Sequence, residues 1–401
     1  MNLLKEGIET GVVIATDISR KITIGGITQT KPVYRIRLDL LFYNDLNDRI
    51  ATWISQYKNE HDGHTPDPTN REVYNAIIEK FIIESNPRSI NETKENIRQF
   101  DQREPAVVLI DGRIIDGNRR FTCLRSLAEE NERFNYLEAI IIGDNAAEGS
   151  KQIKMLELAI QHGEEGKVDY NPVDKLVGLY HDICETQLLT VNEYARSTNE
   201  KPSVVRKRID TAKLMVEYLE FINAPGLYHI IRDLELVFPL EELQKMLKRC
   251  QSNEDAEDLK VCVFTNIFMR TSNDLGRMVR SIKNIVDSPF YAEYIEEQKE
   301  LAADVLEHLP EQVTSASLKE TVVNNPQITQ ALNRSIEKAL LKSQKSESVN
   351  RPYEILDNVT TLLSAISVEM FDNCSEEDIE AIKEKISNIE DSLNGIRSII
   401  S

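Results

Sequence analysis

The run Val107-Val108-Leu109-Ile110-Asp111-Gly112-Arg113-Ile114-Ile115-Asp116-Gly117-Asn118-Arg119-Arg120 restricts this chain to few folds. Two short apolar segments, 106–110 and 113–115, flank an Asp-Gly dipeptide, which supplies the positive φ angles of a two-residue hairpin turn. Helix follows at once, with Phe121, Leu124, Leu127 and Ala128 on one face, and Ala139-Ile140-Ile141-Ile142 reads as a further buried strand. A glycine at the start of such a helix lets backbone approach a ligand closely, and the free amides there point toward an anion. Arg119 and Arg120 add guanidinium groups, each able to grip phosphate through two hydrogen bonds. Spacing alone leaves a plainer alternative open, in which Asp116-Gly117-Asn118 is only a tight turn and the arginines form surface ion pairs.

The rest of the N-terminal part fits an α+β class. Segments 12–15, 22–24 and 33–38 are β-branched and partly alternating, and read as short strands with a turn at Gly25-Gly26. Segments 50–57 and 72–84 have helical spacing on either side of a polar loop, 59–70. Trp53 reads as a core residue, and Cys123 as a packed thiol on the helix after the glycine.

From about Lys151 the pattern is helical, with breaks at Pro172, Pro202, Pro225-Gly226, Pro239, Pro289, Pro310 and Pro326. The polar run 342–352 reads as a linker. Beyond it Ile379, Ile382, Ile386, Ile389, Leu393, Ile396 and Ile400 alternate by three and four residues, the heptad spacing, with Ser375 and Asp378 placed to cap the helix. Burying seven such side chains is worth roughly 10–20 kcal/mol before entropy is subtracted, so this helix needs a partner. Packing against a helix over 353–370 and a seam between two chains are both open. The expected division is 1–150, 151–220, 221–341 and 353–401.

Of the 401 residues, 67 are acidic and 48 basic, a net charge of −19, so any contact with DNA must come from a local basic face. Residues 189–214 offer one. Ala195 is the small residue that a helix-turn-helix crossing needs, Asn199 suits the left-handed turn, and Val205 and Ile209 line the second helix. Thr198 stands where an apolar residue is usual. The second helix carries Lys201, Arg206, Lys207, Arg208 and Lys213 against Asp210; five cations on phosphates would give a salt slope of about −4.5. The alternative is a structural helix pair whose basic face meets acidic residues of the C-terminal half.

Five scattered cysteines without a Cys-x-x-Cys pair fit a reducing compartment and no structural zinc site. The first residues lack the form of a secretory signal, and no stretch reaches the ~18 apolar residues of a membrane helix, so a cytoplasmic location is expected. His61 and His64 lie in a polar loop without further ligands, and no metal site is expected there.

Lys94-Glu95-Asn96, then Gln102-Arg103-Glu104-Pro105-Ala106-Val107-Val108, then Gly117-Asn118-Arg119-Arg120 resembles the N-terminal domain of ParB chromosome-partition proteins, in the ParB/sulfiredoxin-like superfamily. Residues 43–50 resemble the "N-x-x-x-R" opening strand of that superfamily, and 157–162 with 168–175 resemble its "E-N-x-Q-R" box and the segment after it. The resemblance covers roughly residues 33–215. It implies an α+β ParB/sulfiredoxin-like domain followed by a mostly helical region with a helix-turn-helix. The implied ligand is CTP or another nucleotide with Mg2+, bound by Gly117, Asn118, Arg119, Arg120, Gln161 and His162, and the implied partner is DNA.

Asn118 stands where ParB proteins carry the Glu of "G-E-R-R", and an amide cannot act as a general base, so weak or absent hydrolysis follows. Ala159 stands where the family's box has Asn, and Asn118 also replaces the reactive cysteine of sulfiredoxins. Three classes of function follow. The first is a nucleotide-responsive DNA-binding protein. The second is a superfamily enzyme, a nuclease or phosphotransferase, with Asp116 or Glu157 as acid or base. The third is a non-catalytic scaffold, of a mobile-element or phage-defence system, holding a protein partner or a second copy through its C-terminal helices.

Overall fold

The computed structural model describes residues 2–24, 27–45, 47–143, 150–163, 171–309, 315–371 and 374–400. The chain forms two compact units, one of Met1–Lys283 with Ile295–Ser335 and one of Asn284–Tyr294 with Ile336–Ser401.

Five strands build one mixed sheet in the first unit: β1 (Val13–Ile24), β2 (Ile27–Arg37), β3 (Ala106–Leu109), β4 (Ile114–Asp116) and β5 (Tyr136–Ile142), in the order β1-β2-β5-β3-β4. β3 runs parallel to β5, and every other neighbouring pair is antiparallel. The period-2 alternation of the central strands divides their side chains between two cores. Ala106, Val108, Ala139 and Ile141 face α2 (Arg71–Ser85), α3 (Pro87–Phe100) and α4 (Asn118–Ala128), while Val107, Leu109, Ile140 and Ile142 face Leu156 and Ile160 of α5 (Ser150–Gly163). Both faces are therefore covered, which is why β3 and residues 139–142 of β5 are apolar throughout.

Several expectations need correction. Segments 12–15, 22–24 and 33–38 belong to one long hairpin, β1 with β2, with an irregularity between Ala15 and Ser19; the Gly25-Gly26 turn lies outside the described residues. Polar residues such as Lys21, Thr23, Gln29 and Lys31 hid its length, because at its far end only Ile22 among the described residues is buried. In the β3–β4 turn only Gly112 takes a positive φ, 94°, whereas Asp111 instead accepts the Arg113 amide at 3.0 Å. Gly112 is also required sterically, since a Cβ there would strike the Leu40 carbonyl oxygen. Residues 48–50 form a 3-10 turn capped by Asn47 rather than part of a strand.

The helix α1 (Ala51–Glu60) places Trp53 half-buried against Phe81, with the Arg232 guanidinium 4.0 Å above its ring. Cys123 is buried, and burial pushes its thiol up to about 12.

The helical remainder comprises α6 (Pro172–Tyr180), α7 (Val191–Ser197), α8 (Pro202–Phe221), α9 (Tyr228–Asp233), α10 (Val237–Leu247), α11 (Asn253–Phe268), α12 (Leu275–Val286), α13 (Tyr291–Glu307), α14 (Ser315–Asn324), α15 (Pro326–Ser364) and α16 (Glu376–Ile400). Proline opens α6, α8 and α15, where its missing amide costs no bond. Pro239 instead lies in the first turn of α10, and Pro310 lies outside the described residues. The expected linker 342–352 is helix, continuous with α15 through Pro352. Its Lys, Ser, Gln and Glu residues are polar yet helix-compatible, and no glycine interrupts them. Ser375 and Asp378 do cap α16: the Asp378 amide donates to Ser375 Oγ at 3.2 Å and the Ser375 amide to Asp378 Oδ2 at 3.0 Å. Among the described residues no helix is long and apolar enough to cross a membrane.

Candidate functional site

Gly117 joins β4 to α4 with φ 106° and no side-chain cap on the helix. A Cβ at this position would sit 2.6 Å from the Ala106 Cβ, so both conformation and space demand glycine. The uncapped amides of α4 open onto a cleft of about 300 Å³, walled by Arg49, Asn96, Arg103, Asn118, Arg119 and Arg120 together with Asp101, Glu104 and Asp116. Arg120 donates to Asp116 Oδ2 at 2.9 Å, so for this residue the plainer ion-pair reading holds. Its buried Nε has no hydrogen-bond partner among the described residues, and neither has the buried Oδ1 of Asn118.

Arg119 is different. It is half-buried and forms no hydrogen bond or ion pair among the described residues. Burial lowers its pKa, and the neighbouring Arg49 and Arg120 lower it further. Four guanidinium groups, those of Arg49, Arg103, Arg119 and Arg120, thus share a cleft with three carboxylates, of which Asp116 pairs with Arg120. An arrangement of this kind repels cations and is relieved by an anion with several acceptor oxygens.

A second and larger cleft, about 570 Å³, lies beside α1, α5 and α6. Lys154 of α5 is 6% exposed, and its Nζ meets Asp48 Oδ1 at 2.6 Å, Asp182 Oδ2 at 3.6 Å and Glu157 Oε2 at 3.9 Å. Burial alone would lower the Lys154 pKa, yet Asp48, Glu157 and Asp182 hold it well above its ordinary value. Gly178 of α6 makes room for the Asp48 carboxylate, which a Cβ would strike. Close by, Asp174 accepts the Thr52 amide at 3.0 Å, and burial pushes its carboxyl up to about 7.

Sequence reasoning found Glu157 here but not Lys154, Asp48 or Asp182. The four side chains come from a 3-10 turn, α5 and a π-helical turn, His181–Glu185, and no local pattern joins them. The two candidate acid/base groups are not brought together, since Asp116 lines the first cleft and Glu157 the second. Residues Asp48 and Arg49 are adjacent, yet Asp48 lines the second cleft and Arg49 the first. Gln161 and His162 end α5, and their side chains lie outside the described residues.

The segment 189–214 folds as two helices about a tight turn. Asn199 takes the expected left-handed φ, 55°, and Ala195, Val205 and Ile209 are buried. Thr198 fits despite its hydroxyl, because its Oγ1 donates to the Tyr194 carbonyl at 3.0 Å. Lys201, Arg206, Lys207 and Lys213 are exposed. Arg208 is not available in the same way, since it donates twice to the Glu200 carboxylate, at 2.7 and 2.8 Å. α8 also runs on past a recognition-helix length into the helical core, where Tyr218 meets Phe264 edge-on.

No family model matches the chain, and no curated protein matches it.

Proposed function

We propose that the protein binds a phosphate-bearing ligand of the nucleotide class in the Gly117 cleft and contacts DNA through the exposed cations of α8. The observation that carries this reading is Arg119, a half-buried guanidinium with no hydrogen-bond or ion-pair partner among the described residues, set beside three further guanidiniums and an uncapped helix start. Phosphate oxygens match that donor set in charge and geometry. The cleft volume, about 300 Å³, suits a ligand of nucleotide size or smaller.

The ParB-like order of motifs, and a covered sheet whose β4 feeds a glycine-opened helix, support a ParB/sulfiredoxin-like fold and CTP as the first ligand to try. Mg2+ arriving with a nucleotide keeps several waters and needs only one or two carboxylates. Asp116 is in the cleft but is engaged by Arg120. Guanidinium groups, rather than carboxylate-held metal, therefore meet most of the phosphate charge here. Asn118 offers an amide in place of a basic carboxylate, in line with binding that outlasts hydrolysis. The C-terminal helices supply a surface for a protein partner or another copy of the chain.

Titration calorimetry with CTP, the other nucleoside triphosphates and inorganic triphosphate tests the assignment. Arg119→Ala is expected to remove a charge-assisted contact of about 1.5–3 kcal/mol, weakening binding about 10- to 150-fold. The melting temperature should hold to first order, because no hydrogen bond or ion pair among the described residues is lost with Arg119. Absence of binding by the wild-type chain to every one of these anions overturns the reading.

A further inference from the structure

We propose that α16 assembles the chain into a parallel three-stranded coiled coil. No residue of this helix is buried, although its 25 residues carry an unbroken heptad pattern. Ile379, Ile386, Leu393 and Ile400 fall at a positions, and Ile382, Ile389 and Ile396 at d positions. Ile386 is 51% exposed, Ile396 41% and Ile400 78%, while Ile382 and Leu393 are half-buried, so five of the seven seam residues face solvent.

The flanking charges choose the occupant. In a parallel, in-register assembly each g residue faces the next e residue of its neighbour. Asp378 then faces Lys383, and Lys385 faces Glu390, both attractive. An antiparallel pair brings e against e and g against g, which sets Glu390 on Glu390, Lys385 on Lys385 and Lys383 on Arg397. All three contacts are repulsive in the register that overlaps the two helices fully, so at full overlap the helix is complementary to parallel copies of itself. β-branched isoleucine at nearly every a and every d position packs best around three or more strands rather than two.

Sedimentation equilibrium of the full chain should give three times its 45.9 kDa mass. A monomer overturns the proposal in favour of intrachain cover, and a dimer overturns its three-stranded form. The pair Ile386→Asp and Ile389→Asp should yield a monomer with the main thermal transition unchanged; persistence of the trimer would place the interface elsewhere. Lys385→Glu and Glu390→Lys should each shift dissociation to higher concentration, and the double variant should restore the wild-type curve. Failure to restore it sinks the parallel arrangement, and this readout does not depend on the polar seam variants.

Discussion

Arg119 and Lys154 are both cations withdrawn from water, and their surroundings are opposite. Among the described residues Arg119 has no hydrogen-bond or ion-pair partner and lies beside other guanidiniums, whereas Lys154 sits among three carboxylates. Replacing Lys154 by Met would leave Asp48, Glu157 and Asp182 buried without their cation, and should cost about 3–5 kcal/mol in a denaturant melt at neutral pH. The loss should shrink at acid pH, where those carboxylates take up protons. Gly117→Ala should destabilise by about 1–3 kcal/mol through its left-handed backbone, and should also close the cleft to anions in the same calorimetric assay. The glycine and the arginines were legible in the sequence because they are local, contiguous and tied to one turn. The Lys154 cluster was not, since its members are contributed by separate elements and meet only after the fold brings α5 against the 48–50 turn.

At the scale of elements, the α7–α8 turn was readable down to the φ of Asn199, because turn chemistry acts over few residues. The engagement of Arg208 by Glu200 was not, since eight residues separate them across the turn. It alters the expected DNA behaviour. With four exposed cations instead of five, gel shifts across a salt series should give a slope of about −3.6. Replacing Arg206 and Lys213 together should lower it by about two counterions, whereas Arg208→Ala should leave it unchanged. A wild-type chain without salt-dependent binding would remove the DNA role. The hairpin β1–β2 and the helix α15 were under-read for a shared reason: their polar stretches resemble loop by composition, and only tertiary context reveals strand or helix. Pro352 is the exception within α15, as it forfeits one intrahelical bond. Pro352→Ala should stabilise that helix by up to about 3 kcal/mol, seen as a raised melting temperature for the second unit.

For the whole molecule, buried carboxyls set the direction in which stability moves with pH. Asp174 is raised from 3.8 to about 7, and burial raises Asp182 as well. A carboxyl that holds its proton more tightly when folded stabilises the protein at low pH and stops doing so as pH climbs through its folded value. These two groups should therefore make the chain lose stability between 3.8 and about 7, with no further loss above. Thermal melts across that interval, compared with Asp174→Asn, test it; a variant with an undiminished slope would refute the assignment. The acidic total of −19 coexists with a cleft in which four arginines outnumber three carboxylates. The two clefts meet across one peptide bond at Asp48-Arg49, whose Cα atoms are about 3.8 Å apart. The aspartate anchors the lysine of one cleft and the arginine lines the other, so a single short turn of backbone serves as a wall common to both.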